Sequence, residues 1–159
     1  MTSKKITESI LVPVDFSAHS EAALLFAVEC ADKMGASITV LHVIHDLGEA
    51  PGYYSVKGRK KQLRRMEDVA SEMLDAFIQE IQEKHPDLPA LHNLKTILIK
   101  GLPVNRILEI AEQTDSRMIV MGSQGRTGLS HIMLGSKAEQ VVRLSPIPVT
   151  IVKQQKTPE

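Results

Sequence analysis

The sequence has no Trp, two Tyr and three Phe, so aromatic residues make up only 3% of its 159 positions. That scarcity leaves no visible stacking platform for single-stranded nucleic acid or for a sugar. Cysteine is almost absent too. Cys30 stands alone, which excludes an intrachain disulfide and favours a reducing, intracellular home. No sign of charge dominates, because 19 Lys+Arg balance 19 Asp+Glu for a formal net charge of +0. The basic field that drives most binding to nucleic acids and membrane surfaces is therefore missing, and a charged ligand must be held locally. Long apolar runs are also lacking. The opening MTSKKITESILVPVDFS is too short in apolar residues for a signal peptide or a membrane span, so a cytoplasmic protein is expected.

What is present suits one globular domain. With 43% hydrophobic residues, a chain of this length buries about 70% of the surface its unfolded form exposes, without help from disulfides or metals. SILVPVD, from Ser9 to Asp15, predicts a strand buried on both faces. A helix follows, capped by Ser17 and stopped by Gly35, with Ala23, Phe26, Ala27, Cys30, Ala31 and Met34 on its apolar face. SITVLHVI (Ser37 to Ile44) predicts a second strand. Residues 46–58 predict a long loop, and Leu63, Met66, Ala70, Met73, Leu74, Phe77 and Ile81 line a long amphipathic helix that ends near His85-Pro86. LKTILIK (Leu94 to Lys100) is a third strand, Pro103 to Gln113 a helix opened by proline, and SRMIVMG (Ser116 to Gly122) a fourth strand. A helix from Ser136 to Leu144 and a fifth strand, IPVTIV (Ile147 to Val152), complete the pattern. Strands alternating with helices at this spacing predict α/β architecture, a single-domain open five-stranded parallel sheet with helices on both faces. The domain spans 1–159 with a core of about 6–153.

The strongest chemical signal is GSQGRTGLSHIMLGS, from Gly122 to Ser136, between a buried strand and a helix. Glycines at 122, 125, 128 and 135 leave amides unshielded and permit positive φ, as wrapping phosphate oxygens requires. Ser136 then opens a helix whose first amides and dipole favour an anion. A P-loop is excluded, because six residues separate Gly128 from Gly135 where four are needed. A dinucleotide fingerprint is excluded as well, because Asp15-Phe16-Ser17 after the first strand contains no glycine.

These residues resemble the universal stress proteins, a family of nucleotide-binding α/β proteins. Gly122, Gly125, Gly135 and Ser136 match the family's pattern of Gly, two residues, Gly, nine residues, Gly and Ser/Thr. The resemblance extends to ILVPVDFSAHSEAAL, VLHVI and the closing SPIPVTIVK, nearly the whole chain. It implies the strand order 3-2-1-4-5, with the first and fourth strands adjacent and their helices on opposite faces. Ligands of open α/β sheets sit in the crevice that such a reversal opens. It implies further that Asp15 holds a ribose, that phosphates lie over Gly125, Gly135 and Ser136, that Pro13 and Val14 flank the base, that the Val43 backbone reads its edge, and that Met121 lines the cleft.

Asp15 has a second reading, in which it simply favours the N-terminus of the helix after it. Lys137 and Arg126 depart from the family pattern and either contact phosphate or point into solvent. His42 and His45, three apart, fall on opposite faces of a strand, which favours a solvated strand end over a metal pair. His131 reads as an exposed loop residue, Cys30 as inert core, and KGRKKQLRR (Lys57 to Arg65) as a solvated charge cluster that hints at a partner.

The resulting expectation is a cytoplasmic module that binds ATP, or AMP or ADP, in a stress response. Mg²⁺ would be bound through the phosphates, with no metal ligand from protein side chains. The alternative is a weak ATPase or phosphotransferase using the same cleft, and a third reading, an interaction protein with an empty cleft, is disfavoured by the intact motif. A homodimer through Ile147 to Val152 is expected, because the fifth strand lies at an edge. No nucleic-acid or membrane partner is expected.

Overall fold

The computed structural model describes residues 8–45, 59–124 and 134–154, with backbone only for 59–65. The elements run β1 (Ser9–Pro13), α1 (Ala18–Met34), β2 (Ser37–Ile44), α2 (Arg59–Lys84), a 3-10 turn at Pro89–His92, β3 (Lys95–Lys100), α3 (Pro103–Gln113), β4 (Ser116–Gly122), α4 (Ser136–Leu144) and β5 (Val149–Val152). All strand pairs are parallel, in the order β3-β2-β1-β4-β5. The expected loop over 46–58, His131 and the side chains of Lys57 to Arg65 lie outside the described residues.

Alternation along the strands sorts the core into two layers. Ile10, Val12, Val14, Ile38, Val40 and Val120 face α1 and α2, whereas Leu11, Leu41, Val43, Ile119 and Met121 face α3 and α4. The helices of the adjacent strands β1 and β4 thus cover opposite faces, and the sheet splits there at its carboxyl edge.

Local signals explain most of the boundaries. The Ser17 hydroxyl accepts from the Ser20 amide at 3.2 Å and caps α1, and Gly35 at φ 66 stops it. Pro103 opens α3 at a position where no intrahelical N–H is needed. The α1 contact with the sheet differs from the expected stripe: Ala23, Leu24, Ala27, Val28 and Ala31 are buried, while Phe26 and Met34 are exposed. Three alanines at intervals of four let the helix approach closely, which turns Phe26, Met34 and half-buried Cys30 onto its flank.

β1 and β5 are each two residues shorter than expected. β1 ends at Pro13 rather than Asp15 because Phe16 takes a left-handed φ of 68, incompatible with an extended strand. β5 begins at Val149 rather than Ile147, because the Ser145 hydroxyl accepts from the Ile147 amide at 3.2 Å and donates to its carbonyl at 2.8 Å in a turn. The 3-10 turn at Pro89–His92 was not expected; it buries Leu91 under α2.

Candidate functional site

β1 stops three residues before its neighbour β2, since Pro13 pairs with Leu41 and β2 continues to Ile44. Backbone direction then decides what faces the gap. The Val14 amide donates to the Leu41 carbonyl at 2.8 Å, so Leu41 points its polar groups toward β1. Val43, two residues on, points the same way, past the end of β1. From the other flank, the Ile119 amide donates to Pro148 and the Ser123 amide to Val152, so odd-numbered β4 residues face β5 and Gly122 faces β1. Val43 and Gly122 therefore direct backbone groups into one crevice above the end of β1.

Asp15 lies two residues past the end of β1, beside that crevice. Its Oδ1 accepts from the Ser17 amide at 3.1 Å and from the Ser20 hydroxyl at 2.5 Å, while its own amide donates to Ser20 Oγ at 2.9 Å. The helix-capping reading of Asp15 is thus realised in this one oxygen. Phe16, in its left-handed conformation, lays its ring against His42 with centroids 4.3 Å apart and meets the edge of Phe77 at 5.7 Å.

His42 differs from the expected solvated strand end. It is 2% exposed, and its Nδ1 lies 2.8 Å from the Val14 carbonyl. A carbonyl only accepts, so Nδ1 carries the proton. Burial pushes the imidazole below its ordinary value of 6.5, against the opposing pull of the Val14 hydrogen bond. The β2 pattern SITVLHVI alternates too little to separate a buried from a solvated histidine, and the turn that covers it arises from Phe16, far away in sequence.

The third side of the crevice is α4. The Gly135 amide donates to the Ser123 carbonyl at 2.7 Å, closing the base of the glycine loop beside β4. Gly135 is the N-cap residue and has no side chain with which to cap, and Ser136 is the first helical residue. The Lys137 ammonium donates to His45 Nε2 at 3.0 Å, crossing from α4 to the end of β2. Neither expected destination for Lys137, phosphate or open solvent, included this imidazole.

The site residues named from sequence do not all present side chains to the crevice. Val14, Val43 and Met121 are buried at 6%, 6% and 8% exposure, Val14 in the α1/α2 layer and the other two in the α3/α4 layer. Of the three, Val43 directs its backbone into the crevice, whereas the Val14 amide and carbonyl are bonded to Leu41 and His42 and the Met121 backbone faces β5. Pro13 is half-buried at the strand end. Gly122 has a second reason to be glycine: a Cβ there would meet His19 Cβ at 2.8 Å and the His19 backbone carbonyl at 2.9 Å, so α1 closes on it. Gly125 and Arg126 lie outside the described residues. Among the described residues no group of three His, Cys, Asp or Glu side chains is placed to hold a metal ion. No helix among them is long and apolar enough to cross a membrane.

Comparison with known proteins agrees with this architecture. The universal stress protein family profile matches residues 7–153. Universal stress protein MJ0531 of Methanocaldococcus jannaschii is 31% identical over 155 residues, covering 96% of this chain and 86% of the relative. The structure of the protein MJ0577, from the same organism, superposes with a TM-score of 0.68 at 27% identity, covering 94% of this chain and 98% of that one. The universal stress protein from Archaeoglobus fulgidus in complex with dAMP shares the fold at a TM-score of 0.60 and 23% identity, covering 92% of this chain and 98% of that one. Sequence match, strand order and the crevice at the β1/β4 reversal agree, and the chain belongs to the universal stress protein family.

Proposed function

We propose that this protein binds ATP or a related adenine nucleotide in the crevice between β1 and β4, and acts as a cytoplasmic regulatory module in a stress response. The observation that carries the reading is the convergence of three kinds of group on one gap: the Asp15 carboxylate, the backbones of Val43 and Gly122, and the start of α4 at Gly135 and Ser136. A carboxylate suits ribose hydroxyls, backbone edges suit an adenine, and helix amides with a nearby ammonium suit phosphate. The fold-sharing Archaeoglobus fulgidus protein was solved with dAMP, which is compatible with this division of labour.

In this reading Pro13 and Val14 border the base, Met121 supports the cleft wall, and Gly125, Arg126, Gly135, Ser136 and Lys137 surround the phosphates. Mg²⁺ is held by phosphate oxygens and water, as suits an ion that dehydrates reluctantly. The module works as a homodimer that pairs the exposed edge of β5 across a two-fold axis, which would cover an apolar ladder otherwise open to aggregation. A slow ATPase or phosphotransferase in the same cleft is the second reading, favoured by the cation Lys137 at the phosphate end. Chromatography of the supernatant after heat precipitation tests the main reading. Protein purified without added nucleotide is expected to release an adenine nucleotide in amounts comparable to the protein, and a supernatant without nucleotide, from a chain that also fails to bind added ATP, would overturn it.

A further inference from the structure

We infer that His42, buried behind the crevice, is the positioning residue that sets Asp15 for its ligand. The reasoning begins with one peptide plane. The Val14–Asp15 peptide is rigid, so fixing its carbonyl and its amide fixes the direction in which Asp15 leaves the strand. The amide end is held by Ser20 Oγ at 2.9 Å and the carbonyl end by His42 Nδ1 at 2.8 Å. Because β1 ends at Pro13, this carbonyl has passed beyond the β1/β2 ladder, and a side chain supplies the donor that a strand would have given.

The next residue is held by the same ring. Phe16 at φ 68 occupies a left-handed region that carries a conformational cost for a non-glycine residue. Its contact with His42 at 4.3 Å, and with Phe77 behind it, offsets that cost and keeps the turn from relaxing into extended chain. Asp15 is thus bracketed: His42 fixes the peptide before it and the side chain after it. A Phe or Leu at position 42 would fill the same space without burying a polar ring, so packing alone does not call for histidine. The donor toward Val14 does.

The inference rests on the nucleotide reading of the crevice only for its effect on affinity, and two measurements separate them. In the native protein without nucleotide, long-range proton–nitrogen correlation is expected to find His42 as the Nδ1–H tautomer, and an Nε2–H tautomer would overturn the proposal. Two variants follow. His42→Asn places a side-chain N–H at the Nδ1 position, whereas His42→Phe keeps an aromatic ring and removes the donor. His42→Asn is expected to retain slow exchange of the Ser17 amide, which binds Asp15 Oδ1, and to bind Mg·ATP within about threefold of the native protein; His42→Phe is expected to lose both, with affinity about tenfold lower. Native-like Ser17 protection in His42→Phe, or equal losses in both variants, would contradict the assignment. If the native protein itself binds no ATP, the nucleotide reading fails while Ser17 protection still decides the role of His42; if neither variant folds, the tautomer decides it.

Discussion

The Lys137 ammonium donates to His45 Nε2 at 3.0 Å, so a side chain from the first turn of α4 crosses the mouth of the crevice to the end of β2. The bond requires an unprotonated Nε2 and holds a positive charge beside the amides that face phosphate in the proposed site. Lys137→Met should weaken ATP binding by about tenfold, the value of one charge-assisted hydrogen bond, and weaken AMP binding less, because AMP presents less negative charge. Titrations of both nucleotides at two salt concentrations check this. Equal losses for ATP and AMP would remove Lys137 from the phosphate end.

His42 makes stability depend on pH. Its native value lies below 6.5, so between the two values the unfolded chain binds more protons than the folded one, and stability rises with pH there. The contribution is complete above 6.5 and is lost as pH falls from 6.5 toward the native value. Melting temperatures measured from pH 5 to 7.5 should fall on the acid side, and His42→Asn should flatten that fall.

Gly122 is constrained by packing irrespective of any ligand. A Cβ at 2.8–2.9 Å from His19 Cβ and the His19 backbone cannot be relieved by a side-chain rotation, so α1 must shift. Gly122→Ala should cost about 1–3 kcal/mol of stability, read from the denaturant midpoint at an unchanged slope.

The edge of β5 predicts the assembly state. Sedimentation at micromolar concentration should show a dimer for the native protein and a monomer for Ile151→Pro, because the Pro148 and Val152 carbonyls bond β4 and the Ile151 amide between them is turned to the free edge. A native monomer would exclude the β5 interface.

Much of the fold was legible because its signals are local. Ser17 and Gly35 bound α1, Pro103 opens α3, and β-branched runs mark β2 and β4. The glycine spacing from Gly122 to Ser136 carried the family resemblance, and the resemblance in turn implied the strand order that opens the crevice. Features made by distant residues were not legible. Burial of His42 depends on a ring from Phe16, the hold on Lys137 on the histidine just past β2, and the start of β5 on a turn closed by the Ser145 hydroxyl. The direction of the Val43 backbone, named through the family resemblance, has its geometric reason in where β1 stops.

Turnover separates binding from catalysis. Phosphoryl transfer needs a positioned nucleophile as well as charge compensation, and binding that is equal in ground and transition states does not raise the turnover number. Single-turnover hydrolysis with protein in excess over Mg·ATP should run well below about 1 per second. A rate at or above that, lost in His131→Ala, would move the phosphotransferase reading into first place.

The central claim, that an adenine nucleotide occupies the crevice between Asp15 and the start of α4, is tested most directly by calorimetric titration of Mg·ATP into the native protein and into folded Gly125→Val and Gly135→Val variants. In the proposed site the phosphates lie over both glycines, and a branched Cβ is expected to block their approach. The expected result is binding by the native protein and none by either variant at an unchanged melting temperature. Unchanged affinity in both variants would contradict the account.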